Sequence, residues 1–403
     1  MFGLGKKTQN KTAPPAVPAV PGPSATHAAP MPSATLGVTE QDVLGALARI
    51  QDPDLRRDIV ALGFIKDLAI DRGRVAFKIE LTTPACPVKG EMERMAREYV
   101  GALPGVEKVE VSMTSQVRAV GPATMGLMLP GVRNVIAVAS GKGGVGKSTV
   151  AANLAVALHS TGARVGLLDA DIYGPSIPGL FGMTGRKPVI KELPNGEQAF
   201  EPHVGHGIKI NSIGFLPPLC DDPMQPVIWR GPMVGSGVKQ LLQQTDWGDL
   251  DYLIVDLPPG TGDATLTLAQ TIPLSGVVIV SQPQEVALNI AVKALKAFQE
   301  LKVKVLGIVE NMSYFVCDNC DKRHDIFSHG GARLAAEKFE VPFLGELPLS
   351  SDVRESSDSG TPVVALKPDS QQALAFMDIA KALAAQVSIA GFSQRKVIPL
   401  RAI

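Results

Sequence analysis

Residues 134–149 read NVIAVASGKGGVGKST. A short apolar run, NVIAVAS, leads into glycines, and a helical pattern follows with Val150, Leu154 and Leu158 on one stripe. Between strand and helix, Gly141 to Ser148 meets the spacing G-x-x-x-x-G-K-[ST] in full, which is the spacing of a phosphate cradle. Glycines let backbone N–H groups curl toward phosphate oxygens, and the helix N-terminus adds positive potential. Lys147 neutralises terminal phosphates and Ser148 ligates magnesium. Gly141, Lys142, Gly143, Gly144, Val145, Gly146, Lys147, Ser148 and Thr149 are therefore the expected nucleotide contacts. Lys142 is surplus to this account, because a loop needs one lysine for the nucleotide it wraps.

Working outward, short apolar runs recur with helical segments between them: ARVGLLDAD (163–171), YLIVDLPP (252–259), GVVIVSQP (276–283), KVLGIVEN (304–311) and FLGELPL (343–349). Such alternation predicts a layered α/β fold, a mostly parallel sheet flanked by helices. Asp256 closes one of these runs, and Asp169 and Asp171 close another. A carboxylate at the carboxyl end of a strand in an open α/β sheet faces the ligand crevice. Asp256 thus suits the magnesium shell and Asp171 the attacking water, against the plainer alternative of turn or cap aspartates.

The whole chain has 403 residues, which favours two folded units. Residues 1–37 are rich in Pro and Ala and contain one aromatic, Phe2, so they read as a disordered tail. Residues 38–118 read as a small α/β domain that precedes the larger one. Thr39 is its first N-cap, IKDLAIDRG (65–73), RVAFKIELTT (74–83) and KVEVSMT (108–114) are its strands, and VKGEMERMAREYVGAL (88–103) is a helix. Residues 119–131 read as a linker, 132–390 as the nucleotide domain and 391–403 as a C-terminal tail. Lys plus Arg and Asp plus Glu both total 39, so no strong field steers the chain toward nucleic acid or anionic lipid. The N-terminus lacks an apolar core with a cleavage site, and no later run holds 18 uninterrupted apolar residues; a cytoplasmic protein is expected.

Four cysteines are too few for a disulfide scaffold at this length. Cys317 and Cys320 stand two residues apart in YFVCDNCDKRHDIFSHGG, where a tight turn aligns both thiolates toward one metal centre. An iron-sulfur cluster of the usual kind needs four cysteines, so two copies of the chain would supply two each. A zinc site on Cys317, Cys320, His324 and His329, a redox dithiol, and two unassociated cysteines stay open beside that reading. Cys86, in TPACPVKGEM between a strand and a helix start, is a candidate reactive or metal-binding thiol, since helix amides would lower its pKa. Cys220, His203 and His206 read as structural or solvated, and WRGPM (229–233), with Arg230, as a switch-coupled loop or a turn.

The run KGGVGKST resembles the deviant P-loop of the ATPase class that contains the nitrogenase iron protein, the chromosome-partition and division-site ATPases, and arsenite ATPase. Together with DADIYGPS (169–176), WRGPM, VDLPPGTGD (255–263) and CDNC (317–320), it resembles the Mrp/ApbC family of iron-sulfur cluster carriers over roughly residues 130–385. Residues 39–118 are similar to a domain that also occurs alone in cluster-assembly factors. The resemblance implies a P-loop NTPase fold, ATP and magnesium, and a homodimer that holds a labile [4Fe-4S] cluster and passes it to apo iron-sulfur proteins. It implies that Lys142 reaches the phosphates bound by the partner copy, that Asp171 and Asp256 lie in the two switches, and that Asn311 contacts adenine. Cluster-assembly factors are the further partners implied; nucleic acid and membrane are not expected. A positioning ATPase of the partition or division-site type and a zinc-stabilised nucleotide-binding adaptor are the rival readings. The first leaves CDNC unexplained and finds no basic amphipathic helix in SIAGFSQRKVIPLRAI (388–403).

Overall fold

The computed structural model describes residues 37–122, 125–193, 196–222, 231–317 and 319–394. The expected N-terminal tail and Arg230 fall outside the described residues, apart from Gly37. Helix α1 (Glu40–Leu47) begins at Thr39, whose hydroxyl accepts from the Asp42 N–H at 3.2 Å while the Asp42 carboxylate takes the Thr39 N–H at 3.0 Å. A short ladder of β1 (Gln51–Asp52) and β2 (Arg57–Asp58) leads to β3 (Ile65–Asp71), β4 (Arg74–Leu81), α2 (Lys89–Gly101) and β5 (Lys108–Ser115). β4 is the middle strand, antiparallel to β3 and parallel to β5. Its burial alternates, so Val75, Phe77, Ile79 and Leu81 join Val43 and Leu47 of α1 and Met92 and Val100 of α2 in one core.

The expected linker is packed rather than loose. Helix α3 (Met125–Met128) lies within it, Val120 and Leu129 are buried, and the Val120 N–H donates to Asn134 Oδ1 at 3.0 Å while Ser275 Oγ donates to its carbonyl.

The larger unit follows as β6 (Val135–Ser140), α4 (Lys147–Ser160), β7 (Val165–Asp169), α5 (Ile177–Leu180), β8 (Val189–Glu192), β9 (Gln198–Glu201), β10 (His203–Gly205) and β11 (Ile208–Ser212). After these come α6 (Gly231–Gln244), β12 (Tyr252–Asp256), α7 (Asp263–Thr271), β13 (Gly276–Ser281), α8 (Glu285–Glu300), β14 (Val305–Glu310), β15 (Phe315–Val316) and β16 (Arg323–His324). The chain ends in α9 (Gly331–Lys338), β17 (Phe343–Glu346), α10 (Ser351–Asp358), α11 (Val363–Leu366) and α12 (Gln371–Gln394). Eight strands form one sheet in the order β10-β11-β7-β12-β6-β13-β14-β17, parallel except for the β10–β11 pair. β6, β7, β12, β13 and β14 are buried at every residue, as a sheet covered on both faces requires. The mostly parallel sheet flanked by helices is the fold expected from the alternation of apolar runs.

Helix α4 is covered on almost every side. Beside the expected stripe of Val150, Leu154 and Leu158, Ala151, Ala152, Ala155, Val156 and Ala157 are buried too, because α12 packs over the helix. The C-terminal tail expected from residue 391 begins inside α12, which runs to Gln394. Apolar contact carries the helix on: the Phe392 ring meets Phe64 of the small unit at 6.3 Å, and the Arg118 guanidinium lies 4.1 Å over its face. α12 is long and apolar enough to cross a membrane, yet half of it is buried in this fold.

Candidate functional site

The parallel strands end on one edge, and their last residues are Ser212, Asp169, Asp256, Ser140, Ser281, Glu310 and Glu346. The phosphate-type loop rises from this edge after β6. Gly146 caps α4 with φ +84°, and a Cβ there would stand 2.2 Å from Asn311 Nδ2, so only glycine meets both demands. Asn311 in turn donates from Nδ2 to the Val145 carbonyl at 2.8 Å, which pins the loop to the strand end of β14. A cavity of about 360 Å³ opens over the loop, bounded by Lys142, Gly144, Lys147, Ser148, Asp171 and Pro259.

Lys147 is buried and points into a carboxylate cluster. Its Nζ lies 2.6 Å from Asp256 Oδ1, 3.6 Å from Asp171 Oδ2 and 3.3 Å from Ser148 Oγ. Burial disfavours its charge, but Asp256 and Asp171 outweigh that and hold the ammonium above the ordinary lysine range. Asp169 sits behind them, fully buried: Oδ1 accepts from the Asp171 N–H, and Oδ2 from the Ile177 N–H and Ser212 Oγ. Burial and the neighbouring Asp256 push its carboxyl up to about 8. Asp169 therefore organises the segment after β7, a role that a reading of strand ends could not separate from that of Asp171. Burial likewise raises Asp171.

The residues present fit a nucleotide with magnesium. Asp256 Oδ2 and Asp171 Oδ1 are buried without a hydrogen-bond partner, as acceptors awaiting a hydrated cation would be. Lys147 can exchange these carboxylates for phosphate oxygens, because both ends are anionic. Lys142 is half-buried and forms no ion pair among the described residues, so its ammonium is available to a further anion.

The cysteine pair lies at the turn of the β15–β16 hairpin, off the same sheet edge. The Cys317 carbonyl accepts from the N–H groups of Cys320 at 3.3 Å and Asp321 at 2.9 Å, and the Cys317 N–H donates to the Lys322 carbonyl at 3.0 Å. Cys317 is half-buried and Cys320 exposed; no disulfide joins any of the four cysteines. The tetrad of Cys317, Cys320, His324 and His329 weighed for zinc is not gathered. Among the described residues the ligand atoms that converge within 4.8 Å are those of Glu310, His329 and Glu346.

Cys86 departs from expectation. Burial, with Asp52 and Asp54 nearby, raises its thiol, and the hydrogen bond at Val88 does not offset this; α2 begins only at Lys89, so the helix amides fall short of it. Cys220 is buried. His203 and His206 pack separately, edge-on to Phe215 at 4.6 Å and against Phe181 at 5.9 Å. Sequence reasoning missed Glu310, Arg323 and Glu346, which surround the cysteine hairpin. Glu310 and Glu346 had one signal, a charged residue ending an apolar strand; Arg323, inside the polar insert, had none.

A loop between strand and helix, a buried lysine and two carboxylates at a parallel sheet's carboxyl edge define a P-loop NTPase. Residues 131–384 match the family model of the NUBPL iron-transfer P-loop NTPase, and residues 40–113 match that of an iron-sulfur cluster assembly protein. The chain belongs to the NUBPL iron-transfer P-loop NTPase family. It is 50% identical to an iron-sulfur cluster carrier protein of Synechocystis, over 88% of this chain and 99% of that one. To the iron-sulfur cluster carrier protein of Escherichia coli it is 41% identical, over 89% and 94%. A nucleotide-binding protein from Archaeoglobus fulgidus, solved in complex with ADP, is 42% identical and superposes with a TM-score of 0.52 over 61% of this chain and 93% of that one.

Proposed function

We propose that the chain is an ATP-dependent carrier that binds a [4Fe-4S] cluster between two copies of itself and transfers it to apoproteins. The observation that carries this reading is the cysteine turn, two thiols and no more, at the edge of the sheet that also bears the phosphate loop. Two copies supply the four thiolates that such a cluster requires. Relatives called iron-sulfur cluster carrier proteins, alignable over nearly their whole length, support the same cargo.

Lys147 leaves Asp256 for the β- and γ-phosphates when ATP enters, and Asp171 orients the attacking water. Ser148 and Asp256 would hold magnesium, which would supply neutralisation of charge on the phosphoryl oxygens. Asn311 lies against the loop and contacts adenine. Lys142 reaches the phosphates of the partner copy, so a nucleotide-filled pair is drawn together. A cargo shared across the interface senses the same separation, which gives nucleotide and cluster a coupling free energy.

Anaerobic reconstitution with iron and sulfide tests this. Visible absorption with about two irons per chain is expected, lost in Cys317→Ala. Transfer to an apoenzyme should require ATP and fail in Lys147→Ala. A colourless chain carrying one zinc would defeat the reading.

A further inference from the structure

The cysteine hairpin is tied to the phosphate loop by one short segment and a string of polar contacts. On the hairpin, the Arg323 guanidinium lies 4.0 Å over the Tyr314 ring, with Nη1 3.5 Å from Glu346 Oε1 at the end of β17. Its Nη2 meets both ring nitrogens of His329, at 2.8 and 3.1 Å. A guanidinium only donates and a neutral imidazole accepts at one nitrogen, so Nε2 accepts from Arg323 and Nδ1 carries the proton that faces Ser313 Oγ. His329 Nδ1 is 2.9 Å from Ser313 Oγ, which donates to Glu310 Oε1 at 2.6 Å. Glu310 is fully buried and also accepts from the N–H groups of Gly330 and Ala332, fixing the start of α9.

The next residue is Asn311, bonded to the Val145 carbonyl in the phosphate loop. After it, Met312 adopts φ +56°, a conformation that L side chains rarely take, and Gln282 Nε2 bridges Met312 Sδ and the Gly144 carbonyl. Residues 310–314 therefore touch the loop on one side and the hairpin on the other. A shift of the loop cannot leave them unmoved, since Gly146 leaves Asn311 no slack.

We infer that Arg323 and His329 are positioning residues that make the setting of Cys317 and Cys320 depend on nucleotide in the loop, through Glu310 and Asn311. The inference rests on the proposed cluster role of the two cysteines, and it gives that role its route from ATP to cargo within one chain. The convergence of Glu310, His329 and Glu346 is read as a bracket and not as a metal site. The Arg323 guanidinium already supplies the cation there, and both Glu310 oxygens are taken by donors.

The test is thiol alkylation of the metal-free full chain, followed at Cys317 and Cys320 by peptide mass spectrometry, with and without magnesium and ADP. In the wild type, nucleotide should change the rates by about fivefold or more. Arg323→Gln should bind ADP as the wild type does, yet lose the nucleotide dependence, and Arg323→Lys should recover part of it. Should Arg323→Gln fold poorly, Glu346→Gln repeats the test with the side chain's shape kept. A nucleotide response unchanged in these variants would overturn the inference. So would one Fe²⁺ or Zn²⁺ bound per chain in Cys317→Ser/Cys320→Ser and lost on adding Glu346→Gln. Reconstitution that yields no colour would remove the cluster role alone and leave the labelling result standing, so the two ideas fail separately.

Discussion

Three carboxylates surround one ammonium at the heart of the nucleotide site, and the balance among them is set by burial. Asp169 is the outlier, with a carboxyl pushed up to about 8 by burial and by Asp256. Above roughly pH 4 the unfolded chain has released this proton, while the fold retains it until about 8. Its contribution to stability is thus fully present at low pH and declines as pH rises through that window. Asp169→Asn keeps the shape and removes the titration. Its urea midpoint should fall less between pH 5 and pH 8 than that of the wild type, and an equal fall would contradict the assignment. At this scale motif spacing and strand ends pointed to Lys147, Ser148, Asp171 and Asp256, and the fold gathers the last three around the Lys147 ammonium. Cys86 was misread: helix-start amides suggested a lowered thiol, and the enclosing core with Asp52 and Asp54 raised it.

Among the elements, those with strong periodicity were legible. β4, with its alternating burial, and the buried strands β6, β7, β12, β13 and β14 stand where the apolar runs placed them. Short antiparallel hairpins such as β8–β9 and β15–β16 were not legible, because two to four residues offer too little period to detect. Nor was the reach of α12, whose last turn is held by Phe64 and Arg118 from distant parts of the chain. Phe64 is fully buried between the small unit's core and that helix. Phe64→Ala should therefore cost about 3–5 kcal/mol of stability, read by urea denaturation; a loss under about 1 kcal/mol would mean the contact is incidental.

For the whole molecule, the second lysine of the loop is the sharpest lever. If Lys142 serves the partner's nucleotide, Lys142→Ala binds ATP and does not turn it over, and Lys147→Ala is inactive as well. Mixed in equal amounts, the two inactive variants form pairs with one complete site, since Lys147 of one copy and Lys142 of the other are both intact there. Random pairing then restores about a quarter of wild-type turnover. No recovery on mixing would confine Lys142 to its own chain.

By itself the sequence determined the phosphate loop, the layered α/β fold and the paired cysteines, because each is written in local spacing: a glycine pattern, a strand–helix alternation and two thiols in one turn. Only the tertiary structure decided that Glu310, Arg323, His329 and Glu346 close around the cysteine hairpin and that Asn311 joins them to the loop. Those contacts span different strand ends. Their energies come from charges and hydrogen bonds that meet only after the sheet has brought its carboxyl edge together.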